Sequence, residues 1–270
     1  VELKSASTGK QRPILVKPIS ISSYANLLYN EWELTRRQEV EKESNREIGY
    51  IHLRAMGTSD YAAWAKQYFP VFKRQGLIID MRYNNGGNID SWLLSRLLRK
   101  AWFYWKPRVG QPYWNMQYAF RGHIVVLCNE WTASDGEAFS EGVKRLGIGT
   151  VIGTRTWGGH IWLSRNNPLV DNGIATAAQL GVFTDDGEWL IEGRGVEPDL
   201  VVDNPPHESF LGRDHQLEAA IDYLQKKIQE VPIKQPVVPP YYRREDAPLE
   251  AERDHTVPPA IEKARNAVVP

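Results

Sequence analysis

Two short apolar runs, Leu77-Ile78-Ile79-Asp80-Met81 and Ile124-Val125-Val126-Leu127-Cys128, constrain this chain more than any other feature. Each suits a buried strand rather than a helix, because it is short, apolar on consecutive residues and rich in β-branched side chains. Each runs into a loop and then a segment of helical period. Asn84-Asn85-Gly86-Gly87 leads into a helix predicted over 91–99, and residues 129–133 lead into one over 134–146. An earlier strand, 48–53, precedes a helical segment carrying Tyr61, Trp64, Tyr68 and Phe69. Later signals are a strand over 150–153, a hairpin within 174–184 around Gly181, and an amphipathic helix over 214–229. Strands alternating with helices predict an α/β domain in which helices cover a sheet.

The pattern divides the chain into a helical lead-in over 1–46, a main α/β domain over 47–230 and a tail over 231–270. The lead-in holds a partly exposed helix over 24–42. The tail is rich in proline and charge, as in Pro236-Val237-Val238-Pro239-Pro240 and Arg243-Arg244-Glu245-Asp246, and is expected to be extended or partly disordered rather than a second core.

Thirty-three basic residues balance thirty-three acidic ones, so no global field favours nucleic acid or an anionic membrane. The lone cysteine, Cys128, excludes an internal disulfide and argues against a cysteine metal site; it reads as a buried strand thiol. No metal and no cofactor is expected. No apolar stretch reaches the roughly 18 residues of a membrane helix, and Val1-Glu2-Leu3-Lys4 opens no secretory signal. The first residue is not Met, which suggests a fragment or a processed product. Lack of disulfides is compatible with cytoplasm, expected here ahead of periplasm.

Three segments carry chemistry. Thr132-Ala133-Ser134-Asp135-Gly136-Glu137 sits between a strand and a helix, where free backbone N–H groups favour a developing oxyanion at Ser134. The same Ser-x-x-Glu spacing also fits a structural capping box. The Gly86-Gly87 pair allows a close backbone approach, either as a tight turn or as a second oxyanion donor through the amide of Gly87 or Gly86. Glu192, after the apolar run Trp189-Leu190-Ile191, either orients a histidine or polar network or is an exposed charge paired with Arg194.

In this order the three segments resemble the C-terminal-processing serine peptidases over roughly 48–230. Arg82 to Gly87 is similar to the family's Arg-x-Asn-x-Gly-Gly element, Thr132 to Gly136 to its nucleophile turn, and Gly195 to Asp199 to its late Gly-Val-x-Pro-Asp. Many members use a Ser–Lys dyad, but Gly159 stands where the lysine would be, within Gly153-Thr154-Arg155-Thr156-Trp157-Gly158-Gly159-His160. That segment looks like the tricorn branch, whose base is a histidine.

The resemblance implies a ClpP/crotonase-like layered α/β fold, peptide substrates and a homo-oligomer. It implies Ser134 as nucleophile, amides of Asp135 and Gly87 as oxyanion donors, and Glu192 in support. In the tricorn branch the base histidine lies ahead of a PDZ domain that precedes the part seen here, so a missing N-terminal segment is expected to supply it. His160 is the best candidate base within the chain. The only acid from 89 to 129 is Asp90, while Trp102, Phe103, Tyr104, Trp105, Tyr113 and Trp114 crowd that stretch, so an apolar or aromatic-lined specificity pocket is expected. Two alternatives stand beside the peptidase: a silent module binding an apolar ligand, and a scaffold in which Ser134 is only a cap.

Overall fold

The computed structural model describes residues 2–164 and 167–241, so the charged part of the tail, Arg243 to Asp246, lies outside the described residues. In chain order the elements are β1 (Glu2–Lys4), β2 (Gln11–Pro13), α1 (Ile21–Glu43), β3 (Ile48–His52), α2 (Thr58–Val71), β4 (Gly76–Asp80) and α3 (Asp90–Leu97). They continue with β5 (Tyr104–Trp105), β6 (Tyr113–Trp114), β7 (His123–Cys128), α4 (Asp135–Arg145), β8 (Thr150–Gly153) and β9 (Trp162–Ser164). The last are β10 (Ala177–Leu180), β11 (Leu200–Val201), α5 (Pro206–Phe210) and α6 (His215–Glu230).

Five strands form a wholly parallel sheet whose spatial order, β3-β4-β7-β8-β11, is also their order along the chain. A sheet that grows in one direction through right-handed crossovers puts its crossover helices on one face. Those helices are α2, α3 and α4. Their Trp64, Leu93, Phe139 and Val143 pack with Ile51, Leu77, Ile79, Val126 and Val151 of the strands. The other strand face, with Tyr50, Ile78, Val125 and Ile152, packs against Leu217, Ile221 and Leu224 of α6 and Val40 of α1. The period of two sends Ile78 and Ile79 to opposite faces. Both faces are buried, which is why the strand runs read as continuously apolar.

Boundaries moved where caps decide them. The first helix starts at Ile21 rather than 24 because Ser20 caps it, its hydroxyl accepting the Ser23 N–H at 3.1 Å. The Asp214 carboxylate caps α6 in the same way through Leu217 N–H. The hairpin expected around Gly181 does not form. Instead β10 pairs antiparallel with the preceding strand β9, and an isolated bridge joins Phe183 to Trp189. Gly181 serves a close approach, since a Cβ there would lie 2.7 Å from the Trp189 ring.

The chain divides into two units, Val1–Trp105 with Tyr113–Lys234, and Lys106–Pro112 with Gln235–Pro270. The lead-in helix thus belongs to the unit that holds the sheet. Within the second unit, Tyr241 OH donates to the Pro107 carbonyl at 3.3 Å. Among the described residues no helix is long and apolar enough to cross a membrane.

Candidate active site

Three loops leave the carboxyl ends of adjacent strands: 81–89 after β4, 129–134 after β7 and 154–161 after β8. Such strand ends are where open α/β sheets place their sites. Buried Asn84 stitches the first two loops together. Its side chain donates to Leu53 O at 2.8 Å and accepts the Gly86 N–H at 2.8 Å, while its carbonyl accepts the Ala133 N–H at 2.9 Å. Gly87 lies flat on Met56, whose carbonyl would be 2.1 Å from any added Cβ, so only glycine fits.

Ser134 occupies the N-cap of α4 with φ 53° and ψ −121°, a left-handed conformation that costs an L-residue about 1–3 kcal/mol. A strained serine on a sharp strand-to-helix turn is the geometry by which hydrolases expose a nucleophile. Gly86 faces it directly: a Cβ on Gly86 would sit 2.5 Å from Ser134 Cβ. The serine hydroxyl makes no cap hydrogen bond, and the Glu137 N–H donates to the Ser134 carbonyl instead. The residues are placed as in a capping box, but only the Glu137 half is a full hydrogen bond, its carboxylate accepting the Ser134 N–H at 2.9 Å, so the hydroxyl is left uncommitted.

The glycine pair divides its labour. Gly86 N–H is taken by Asn84, which removes it from the expected donor set. The Gly87 and Asp135 N–H groups donate to no acceptor among the described residues. The Asp135 carboxylate reaches across to the residues after the glycines, accepting Ile89 N–H at 2.7 Å and Asp90 N–H at 3.1 Å. It thereby caps α3 from the neighbouring helix. Burial, with Asp90 nearby, pushes its carboxyl up to about 6.

Glu137 is fully buried and ties the third loop to the serine. Its Oε2 accepts Ser134 N–H at 2.9 Å and Gly159 N–H at 3.1 Å, while Oε1 accepts Gly158 N–H and Thr156 Oγ1, both at 2.6 Å. Because one oxygen holds both Ser134 and Gly159, the segment leading to His160 is fixed beside the serine. Glu192 extends this arrangement: its Oε2 accepts the His160 N–H at 2.6 Å and the Ile161 N–H at 2.9 Å. The contact is to the backbone of His160, not to its ring. Arg194 donates instead to the Trp189 carbonyl of its own loop, so the Glu192–Arg194 pairing is not made.

The ring of His160 is partly buried, its Nδ1 lacks a partner among the described residues, and burial lowers its pKa. No side chain among the described residues hydrogen-bonds Ser134 Oγ. His52 belongs elsewhere, its Nε2 held by Tyr29 OH and its Nδ1 by Asp80 O. Cys128 is buried, and burial pushes its thiol to about 12, as a structural cysteine requires.

Within the aromatic run, Tyr113 and Trp114 line a cavity of about 280 Å³ together with Phe72 and Tyr118. Tyr104-Trp105 and Tyr113-Trp114 pair as β5 and β6, and Trp114 packs on Phe72. A second, apolar cavity of about 390 Å³ bordered by Glu192 is lined by Ile161, Leu180, Val182 and Trp189. Sequence reading missed this wall because it depends on β9 pairing with β10. It also missed the clamp made by Glu137, whose only local signal was the Ser-x-x-Glu spacing. Among the described residues no cluster of His, Cys, Asp and Glu could hold a metal ion.

The sequence model of peptidase family S41 matches residues 47–202, the segment that builds the sheet and all three loops. The chain belongs to peptidase family S41. Within S41 it falls in the tricorn-like branch. It is 34% identical to the putative tricorn-like protease C-terminal subunit of Sulfurisphaera tokodaii, over 85% of this chain and 27% of that protein. It is 32% identical to the tricorn protease of Thermoplasma acidophilum, over 83% of this chain and 21% of that protein. The crystal structure of the tricorn protease superposes with a TM-score of 0.76 at 31% identity, covering 83% of this chain and 22% of that one. The chain spans about a quarter of the length of these relatives.

Proposed function

We propose that this S41 chain supplies the nucleophile and oxyanion donors of a tricorn-type serine peptidase acting on unfolded peptides. The observation that carries the proposal is the strained, uncommitted Ser134 set against Gly86, with the two unengaged amides of Gly87 and Asp135 beside it. Ser134 Oγ attacks the scissile carbonyl carbon, and the carbonyl π pair moves onto oxygen. The Gly87 and Asp135 N–H groups meet that charge without reorganising. A base accepts the serine proton and passes it to the departing amine, leaving an acyl-enzyme that water cleaves.

Glu192 acts by holding the 160–161 backbone, and Glu137 by holding Gly158 and Gly159. Our assignment of the base follows the tricorn resemblance: a histidine from a segment outside these 270 residues, within a homo-oligomer in the cytoplasm. His160 is the in-chain competitor. Its lowered pKa keeps it neutral at pH 7, as a base must be, but it makes no hydrogen bond to Ser134.

The test is labelling with a fluorophosphonate probe. One probe per chain on Ser134, lost in Ser134→Ala while the fold persists, is the expected result. His160→Ala should retain most of the labelling rate; a loss of about 10²–10⁴-fold would place the base inside the chain instead. Absence of labelling in any form of the protein, together with tight binding of an apolar ligand, would favour the silent module.

A further inference from the structure

A cavity of about 530 Å³ opens at the amino end of β7, at the opposite end of that strand from the loop bearing Ser134. Its volume is that of a small-ligand site. Leu97, Phe120, Ile124 and Ile148 give it an apolar floor. Every charged or titratable side chain around it, tyrosine aside, is a base: Arg99, Lys100, Arg121, His123 and Lys234, with no carboxylate among the lining residues. In a chain with equal numbers of acids and bases, that is a local segregation of charge.

The ordinary explanation for such cations is compensation of helix dipoles, since α3, α4 and α6 all end here, at Leu97, Arg145 and Glu230. Each helix end carries about half a negative charge, so three amount to roughly −1.5 against four full positive charges on Arg99, Lys100, Arg121 and Lys234. Compensation leaves a surplus of roughly two and a half positive charges. Glu230, the acid at the end of α6, does not offset it, being paired with Lys226 and Lys227.

Part of the rim is also held in place. The Arg121 guanidinium lies 5.2 Å from the Tyr104 ring centre and 5.0 Å from that of Trp114, and it donates to the Lys234 carbonyl. His123 Nε2 donates to the Val231 carbonyl at 2.8 Å. These contacts fix the two sides of the mouth to each other, so a ligand meets a preorganised cation.

We propose that this cleft binds an organic carboxylate carried on an apolar body, either a fatty acid or the free C-terminus of an apolar peptide. The floor takes the body and the cationic rim takes the carboxylate. Both features are needed, which separates this ligand from inorganic anions and from neutral apolar compounds.

The test is calorimetric titration of the Ser134→Ala protein, so that no turnover of a peptide intrudes and the result stands apart from the peptidase proposal. The probes are octanoate, N-acetyl-Leu-Leu, its C-terminal amide and inorganic phosphate. Octanoate or the free-acid dipeptide should bind, with whichever binds tighter identifying the source, and both should weaken in high salt. The amide and phosphate should bind far more weakly. Arg121→Gln should cost about threefold to fivefold in affinity, as loss of one partly exposed charge pair does. Where that change unsettles the hairpin, the exposed pair Lys100→Gln and Lys234→Gln should give the same weakening. Equal binding of acid and amide, binding of phosphate as tight as the acids, unchanged affinity in these variants, or no binding at all would overturn the proposal.

Discussion

At the scale of single residues, Asp135 does two things at once. Its N–H is available beside Ser134, and its carboxylate holds the Ile89 and Asp90 N–H groups on the far side of the glycine turn. Burial, opposed by those two hydrogen bonds and reinforced by Asp90, raises its pKa to about 6. The sign follows from the raised value. The folded state prefers the protonated acid, so the contribution to stability is complete below the unfolded pKa of about 3.9 and is lost as pH rises through about 6. Asp135→Asn keeps an acceptor for the two amides and removes the titration. Its melting temperature relative to the native chain should therefore rise between about pH 4 and pH 7, and then level off. Thermal melts across that range check this; a difference that does not change with pH would show that Asp135 does not titrate in the fold.

At the scale of elements, one carboxylate ties two of the three site loops together. Glu137 serves three backbone amides and one hydroxyl from two loops, in full burial. Glu137→Ala leaves those donors without an acceptor, and a single orphaned buried donor costs about 1–3 kcal/mol. Loss of at least about 3 kcal/mol in denaturant unfolding is expected, with loss of labelling at Ser134 even where the protein remains folded. Glu137→Gln should lie between, because its amide keeps one oxygen and turns a donor toward donors at the other. A fully stable, fully labelled Glu137→Ala protein would refute the clamp.

Across the whole molecule, one buried ion network joins the sheet to the helix layer behind it. Arg82, 2% exposed, donates to Asp80 Oδ2 at 2.6 Å and to Asp214 Oδ1 at 2.7 Å, while Tyr50 OH also donates to Asp80. Burial alone would raise the pKa of Asp214, but the charge and hydrogen bonds of Arg82 outweigh it and hold the carboxyl below its usual range. Its contribution is therefore present above the unfolded pKa and lost as pH falls through the lower folded value. Arg82→Met strands two buried carboxylates, which is expected to cost about 3–5 kcal/mol at neutral pH, a deficit that shrinks as pH falls and those carboxylates are protonated. Denaturant melts at neutral pH, followed by acid titration of the folded signal, measure both effects. A cost within the error of the melts would mean that the pair contributes nothing net.

What the sequence determined by itself is whatever rests on local period and local conformational limits. Strands buried on both faces leave unbroken apolar runs, a paired glycine marks backbone that no side chain can follow, and a serine between strand and helix marks a turn. These were enough to place β3, β4, β7 and β8, the glycine turn and Ser134. Only the tertiary structure decided which glycine amide is open, because Asn84 claims Gly86 through a side chain folded back on its own loop. It alone decided that Glu192 holds a backbone rather than a ring, and that β10 pairs with β9 instead of forming a hairpin at Gly181. Those outcomes depend on partners supplied by other loops and by a neighbouring strand, and such pairings leave no periodic trace in the sequence. The same holds for the cationic cleft, whose charges come from three separate segments that only folding brings around one cavity.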